Sequence, residues 1–182
     1  MDLYRIKGGG LEPVQSDQFK LESEIQTLVE SNMESLFGIT MVTSEFSVGD
    51  FRLDSLCFDE ESKSFVIVEY KRGSSYSVVD QGYSYLSVML NNKAEFILEY
   101  NEKFDTPLRR NEVDWSSSRV VFVSPSFNNY QRNSVNFQDD PFELLEIKRF
   151  DGELVMLEQI RSSSDESVQD ITGPDKGVII SV

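Results

Sequence analysis

The fold is decided by one stretch: Phe51-Arg52-Leu53-Asp54-Ser55-Leu56-Cys57-Phe58, a polar loop over 59–64, then Phe65-Val66-Ile67-Val68-Glu69-Tyr70-Lys71. Both apolar runs have strand length and are rich in β-branched and aromatic residues, so together they predict a β-hairpin. Side chains alternate along a strand, which puts Glu69 and Lys71 on one face with Phe65 and Ile67. With the loop centred between Glu61 and Ser62, opposed residues have numbers that sum to 123, and Asp54 falls opposite Glu69. Their Cβ atoms would then lie roughly 5 Å apart on one face of the pair. A slip of one residue would send the two carboxylates to opposite faces, so everything rests on register.

Two acids opposite each other beside an apolar layer destabilise a sheet, the more so when partly buried. A divalent cation removes the conflict, because hard ions such as magnesium take carboxylate oxygens. Lys71 then stands near a substrate phosphate or the attacking water. Metal, paired carboxylates and a lysine on one face are the parts that phosphodiester hydrolysis requires. The same spacing also fits a plain surface ladder in which Lys71 neutralises one acid.

Outward from the hairpin, 19–37 has helical periodicity (Leu21, Ile25, Leu28, Val29, Leu36), with Gly38 placed to end the helix. Glu22 and Glu24 border its apolar stripe. Residues 39–46 read as a strand. Past Arg72 and Gly73, Val79, Tyr83, Leu86 and Leu90 form a stripe that predicts a helix over 76–90. Gln81 and Tyr85 make an i, i+4 pair on its neighbouring stripe. A second helix is expected over 93–103, and then a loop over 107–118 with Arg109, Arg110 and Trp115. A buried strand at 119–124 and a weak helix at 128–137 follow. A hairpin of 142–150 with 153–160 turns at Asp151-Gly152. Gly8-Gly9-Gly10 lacks the Lys-Ser/Thr of a phosphate loop and reads as a flexible turn. The expected organisation is a single domain over 1–161 with its core at 19–125, and a polar tail over 162–182.

Composition narrows the chemistry. The 182 residues contain no histidine, which removes histidine-based nucleophile triads and most zinc sites. A single cysteine, Cys57, excludes an internal disulfide and suggests a reducing, cytoplasmic setting. No apolar run approaches the roughly 20 residues that span a bilayer, so no membrane association is expected. The net charge of −15 runs against a self-sufficient DNA binder with many phosphate contacts. Any grip on nucleic acid must be local, aided by metal, or supplied by a partner.

The order of these parts resembles the PD-(D/E)XK nuclease superfamily. It runs from a helix with Glu22 through a strand, a strand with Asp54 and a strand with Glu69-Tyr70-Lys71, to a helix with Gln81 and Tyr85. Gln81-x-x-x-Tyr85 is similar to the RecB-like branch. The runs Arg52-Leu53-Asp54, Ile67-Val68-Glu69-Tyr70-Lys71-Arg72 and Asp80-Gln81-Gly82-Tyr83-Ser84-Tyr85 look closest to NucS-type endonuclease domains. The likeness covers Leu21 to Leu90. It implies a restriction-endonuclease-like α/β fold, a mixed sheet flanked by helices, and magnesium-dependent cleavage of DNA or RNA, with manganese as substitute. Asp54, Glu69 and Glu22 (Glu24 in reserve) would hold the metal, and Asp54, Glu69, Lys71 and Gln81 would form the catalytic set. Tyr85, Arg72, Arg109 and Arg110 would contact nucleic acid, with DNA the expected partner. Leu53 stands where this branch commonly has proline. The competing expectation is a non-catalytic domain of the same fold that binds a protein partner, its acidic surface mimicking nucleic acid; a homodimer fits either. Convergence of Arg72, Arg109, Arg110, Arg119 and Arg132 on the Asp54 face would favour the nuclease.

Overall fold

The computed structural model describes residues 2–73, 77–135 and 140–161. The chain opens with a two-stranded hairpin, β1 (Tyr4–Lys7) and β2 (Gly10–Pro13), followed by a short β3 (Ser16–Asp17). Gly8 and Gly9 turn the hairpin with φ of 59° and 83°, a region open to glycine at little steric cost. Helices α1 (Glu22–Glu30) and α2 (Met33–Phe37) lead into β4 (Thr40–Val48), β5 (Phe51–Asp59) and β6 (Ser64–Tyr70). Then come α3 (Val78–Asn91), α4 (Lys93–Phe104), β7 (Arg119–Ser124), α5 (Asn129–Ser134), β8 (Phe142–Phe150) and β9 (Leu154–Ile160).

Seven strands make one mixed sheet in the order β3-β8-β7-β6-β5-β4, with β9 on the outer edge of β8. β4, β5 and β6 are antiparallel, while β6, β7 and β8 run parallel through helical crossovers. Period-two alternation sorts the sheet into two apolar layers. Phe58, Phe65, Ile67, Val120, Phe122 and Leu144 join Tyr85, Met89 and Phe96 of α3 and α4. Cys57, Val66, Val68, Val121, Val123 and Ile147 meet Ile25, Val29 and Met33 of α1 and α2. The molecule is therefore a mixed sheet between helices with a strand pair at its C-terminal end. Phe142, Leu144, Leu145 and Ile147 are buried, so the core reaches past the expected limit at 125.

Some expected boundaries shift for local reasons. The single helix over 19–37 is broken at Ser31-Asn32, where Ser31 Oγ donates to the Thr27 carbonyl and Asn32 Nδ2 to the Leu28 carbonyl. Such side chains offer the backbone an alternative to the helical ladder. Gly38 ends α2 in the left-handed conformation, as its position suggested. The strand expected over 39–46 continues to Val48, with Glu45 at φ 59° inside it. Tyr76, residues 136–137 of the weak helix and the tail over 162–182 lie outside the described residues.

Gly82 fixes the height of α3 above the sheet. A Cβ there would lie 2.5 Å from Cε1 and 2.8 Å from Cδ1 of Phe142. Gly82→Ala should therefore lower stability by roughly 1–2 kcal/mol, overpacking outweighing the gain in helix propensity. A melting curve should show a fall of about 2–6 °C. The double variant with Phe142→Leu should recover most of it. An unshifted melting temperature in Gly82→Ala would mean that this contact does not set the helix.

Candidate functional site

The β5–β6 ladder has the register that places carboxylates together. Its pairs run from Asp59↔Ser64 to Ser55↔Val68, with residue numbers summing to 123 throughout. The next step would oppose Asp54 to Glu69, and there the regular ladder stops. The Tyr70 amide donates instead to the Asp54 carboxylate, at 3.0 Å from Oδ2. Parity keeps Asp54, Glu69 and Lys71 on the face covered by α3.

Glu69 is only 4% exposed. Its Oε1 accepts from Lys71 Nζ at 2.7 Å and from Gln81 Nε2 at 2.9 Å. Its Oε2 is buried and accepts no hydrogen bond of normal geometry among the described residues, although the Tyr85 hydroxyl lies near enough to act on the Glu69 carboxylate. A buried carboxylate oxygen left in that state costs about 1–3 kcal/mol or more, so such atoms are rare and call for an explanation. The ammonium of Lys71 is largely enclosed, its side chain 13% exposed. The Lys71 amide is fixed by the Val123 carbonyl at 2.9 Å. Gln81 Nε2 also donates to Tyr85 Oη at 2.7 Å, one turn along α3. Ser77 caps this helix by accepting from the Asp80 amide. Burial, with the adjacent Glu69 charge second, raises the Tyr85 hydroxyl pKa, so it stays protonated. Burial first, and Glu69 second, push Asp54 up to about 6.

Glu22, exposed at the start of α1, accepts the Arg72 amide at 3.0 Å, and its charge reaches Asp54. It pins the chain just past Lys71. Glu24 turns away, accepting from the Lys20 amide at 2.7 Å.

Beneath the sheet lies a network that the sequence reading missed. Glu30 Oε1 accepts from Ser55 Oγ (2.6 Å), Ser44 Oγ (2.8 Å) and Gln26 Nε2 (3.0 Å). Since the Ser55 proton points to Glu30, Tyr70 Oη donates to Ser55 Oγ, at 2.9 Å. Gln26 Nε2 also approaches the Asp54 carbonyl (3.4 Å) and Glu45 Oε1 (3.3 Å). The residues on either side of the acid pair are thus tied down from the far face. The available signal was Ser55, a polar residue inside an apolar strand, together with the i, i+4 pair Gln26 and Glu30 on α1.

The arginines do not converge. Arg119 binds Asp59 Oδ2 (3.0 Å) and Glu143 Oε1 (2.7 Å) at the opposite end of β6. Arg132 pairs with Glu146. Arg109 leads into a 3-10 turn, and Arg110 lines a cavity with Leu90 and Lys93. Leu90 lies about 13 Å along the α3 axis from Gln81, so the structure does not bring this pair to the carboxylates. Arg72 alone adjoins them. The convergence that would have favoured a nuclease is absent.

The donor set suits a hard cation. No group of three or more metal-ligating side chains occurs among the described residues. Magnesium, however, is commonly bound by one or two carboxylates, with waters and substrate phosphates completing its shell. Glu69 Oε2 and the Asp54 carboxylate supply two.

No family model matches the sequence. An uncharacterized protein of Haemophilus influenzae is 50% identical over 163 residues, which is 90% of this chain and 54% of that protein. The chain thus spans about half the length of the curated relative it matches. Among solved structures, a repair endonuclease from Pyrococcus abyssi is similar with a TM-score of 0.40 at 16% identity, over 72% of this chain and 49% of that one. EndoMS in its apo form gives 0.46 at 16%, over 80% and 64%. SfsA of Pyrococcus furiosus in complex with Ca2+ gives 0.39 at 14%, over 75% and 63%.

The raised Asp54 pKa has a defined sign. The folded, metal-free protein holds this proton up to about pH 6, whereas the unfolded chain releases it near 3.8. Its stabilising contribution is complete below about pH 3.8 and is lost as pH rises through 6. Asp54→Asn abolishes that loss. In denaturant titrations with EDTA, its stability relative to wild type should climb by roughly 2 kcal/mol between about pH 4 and 6.5. A difference that stays flat across this window would contradict the shift.

Proposed function

We propose that the chain is a metal-dependent nuclease of the restriction-endonuclease-like class that hydrolyses phosphodiester bonds in DNA or RNA. The observation that carries this reading is the buried Glu69 carboxylate, whose Oε2 accepts no hydrogen bond of normal geometry among the described residues, beside Asp54 and an enclosed Lys71. A structural ladder has no use for a desolvated carboxylate whose charge opposes that of a second acid. Asp54 and Glu69 would hold magnesium or manganese, with Glu22 at the mouth of the site as a third candidate. The ion supplies Lewis-acid charge stabilisation at the phosphoryl group.

The remaining work falls to the chain. Lys71, already hydrogen-bonded to Glu69 Oε1, orients the attacking water against the phosphorus and offsets charge that develops on the phosphoryl oxygens. Gln81 holds Oε1 from the other side, and Tyr85 holds Gln81. These bonds fix the glutamate rotamer, which a metal ligand requires.

A second reading is favoured by the dispersed arginines and the charge of −15. In it the domain keeps the fold without catalysis and binds a protein partner, or a second copy, through its acidic surface.

Two measurements separate the readings. Cleavage of plasmid DNA, single-stranded DNA and RNA should appear with magnesium or manganese and vanish with EDTA. Asp54→Ala and Lys71→Ala should each lower it at least about 100-fold, a loss of roughly 2.7 kcal/mol of transition-state stabilisation. Independently of activity, about 10 mM magnesium should stabilise wild type by roughly 1.4 kcal/mol for a Kd near 1 mM. Asp54→Asn and Glu69→Gln should lose that gain, and Glu24→Gln should keep it. A wild type insensitive to both metals, with no cleavage, would leave the partner-binding reading in place.

A further inference from the structure

We propose that a gap in the sheet beside the acid pair is a phosphate-binding cleft, with Arg72 and Lys148 as its cations. It would seat a phosphate of the substrate strand, terminal or internal. That identification of the ligand rests on the nuclease reading, but the affinity of the cleft is measurable apart from cleavage.

The gap follows from strand pairing. Along its inner edge, β8 pairs with β7 as far as Glu146↔Ser124. It meets β3 again only at Asp17↔Arg149 and Ser16↔Phe150. Ile147 and Lys148 between them have no strand partner on that side, though both pair with β9 on the other. In an antiparallel pair successive residues direct their N–H and C=O alternately toward and away from the partner. One of these two residues therefore offers its backbone groups to the gap. A cleft of about 430 Å3 opens there, lined by Ser16, Gln18, Arg72, Ser126 and Lys148 among others. It lies beyond the carboxyl ends of β6 and β7, the place where open α/β sheets take their ligands. Arg72 follows Lys71 directly, so the cleft and the acid pair lie at the same strand ends, the cleft reaching the α1 layer through Phe19 and Ile147 and the pair sitting under α3.

The charges point the same way. Among the described residues, each acid near the gap is already engaged. Asp17 is bound by Arg149 at 2.9 Å, Glu22 by the Arg72 amide, and Glu146 by Arg132 and by Lys148 at 3.4 Å. Arg72 makes no side-chain ion pair among the described residues, although the whole chain has 32 acids against 17 bases. An exposed guanidinium without a carboxylate, in so acidic a chain, is available to an anion. Its planar fork suits phosphate oxygens, with Lys148 as a point charge opposite.

The test uses the full chain with calcium, following fluorescence anisotropy of labelled single-stranded 12-mers that carry a 5′-phosphate, a 3′-phosphate or neither. Wild type should bind saturably. Arg72→Ala and Lys148→Ala should each weaken binding about tenfold and reduce the slope of log K against log salt by about 1. Lys148→Arg should restore the affinity, and Lys103→Ala, on the last turn of α4, should leave it unchanged. Loss of binding without one terminal phosphate assigns the cleft to that end, whereas equal binding of all three assigns it to an internal phosphodiester. Absence of saturable binding, or Arg72→Ala and Lys148→Ala behaving as Lys103→Ala does, overturns the proposal. If wild type binds in this way but cleaves nothing with magnesium or manganese, the cleft stands and the nuclease reading falls. If it cleaves and the KM of both cleft variants is unaltered, the nuclease reading stands and the cleft falls.

Discussion

Everything in the site depends on where β5 and β6 stop pairing as a regular ladder. Up to Ser55↔Val68 the strands exchange backbone hydrogen bonds in the ordinary way. Two residues later the Tyr70 amide turns to the Asp54 carboxylate at 3.0 Å. That exchange holds the acid at the end of the β5–β6 ladder with one oxygen committed to the backbone. Glu69 is brought to the same face on the neighbouring strand and buried under α3. A ladder continued for two more pairs, Asp54 against Glu69 and then Leu53 against Tyr70, would give the Tyr70 amide a backbone partner and leave both carboxylates to repel across it. The break in pairing thus defines the site.

The arrangement is supported from both faces. Above the sheet, Gln81 and Lys71 take one oxygen of Glu69, and the other accepts no hydrogen bond of normal geometry among the described residues. Below it, Glu30 gathers Ser44, Ser55 and Gln26, and Ser55 in turn anchors Tyr70, the residue between Glu69 and Lys71. The elevated pKa of Asp54 expresses the resulting tension, since burial and a like charge both oppose its ionisation. A protein optimised for stability alone would place an amide or an apolar residue at one of these positions. Retaining two acids in a nearly dry setting fits a site that expects a cation.

Local pattern carried much of this, and its limits are physical. The register followed from the centre of a short loop, because period two leaves only two choices and one of them would bury the wrong residues. The α3 stripe and Gly38 were equally legible, because spacing and a glycine stop are local features. The Glu30 network was not, since it joins α1 to β4, β5 and β6 across 14 to 25 residues of sequence, and no single window contains it. Arg109 and Arg110 misled for a related reason. Charge in a loop says nothing about where the loop lies, and theirs follows α4 at the far end of α3. The break at Ser31-Asn32 depended on side chains bonding backward to carbonyls, a choice that helical periodicity does not report.

The charge of −15 then takes on a more specific meaning. Averaged over the surface it repels a polyanion, but screening limits exposed charges to a range of about 8–10 Å at physiological salt. Over that range the composition at the β6 edge decides, not the sum. There a cation at the acid pair would neutralise Asp54 and Glu69, Lys71 is already in place, and Arg72 adds a guanidinium with no ion pair to a carboxylate among the described residues. On the proposed reading the local field would change sign with a divalent ion bound, while the rest of the surface would stay acidic. Such a domain would hold nucleic acid only where chemistry is to occur, and only with metal present. Weak, metal-gated binding of that kind would reconcile an acidic chain with the proposed phosphodiester substrate, and it would assign any long-range capture of the strand to something other than this surface.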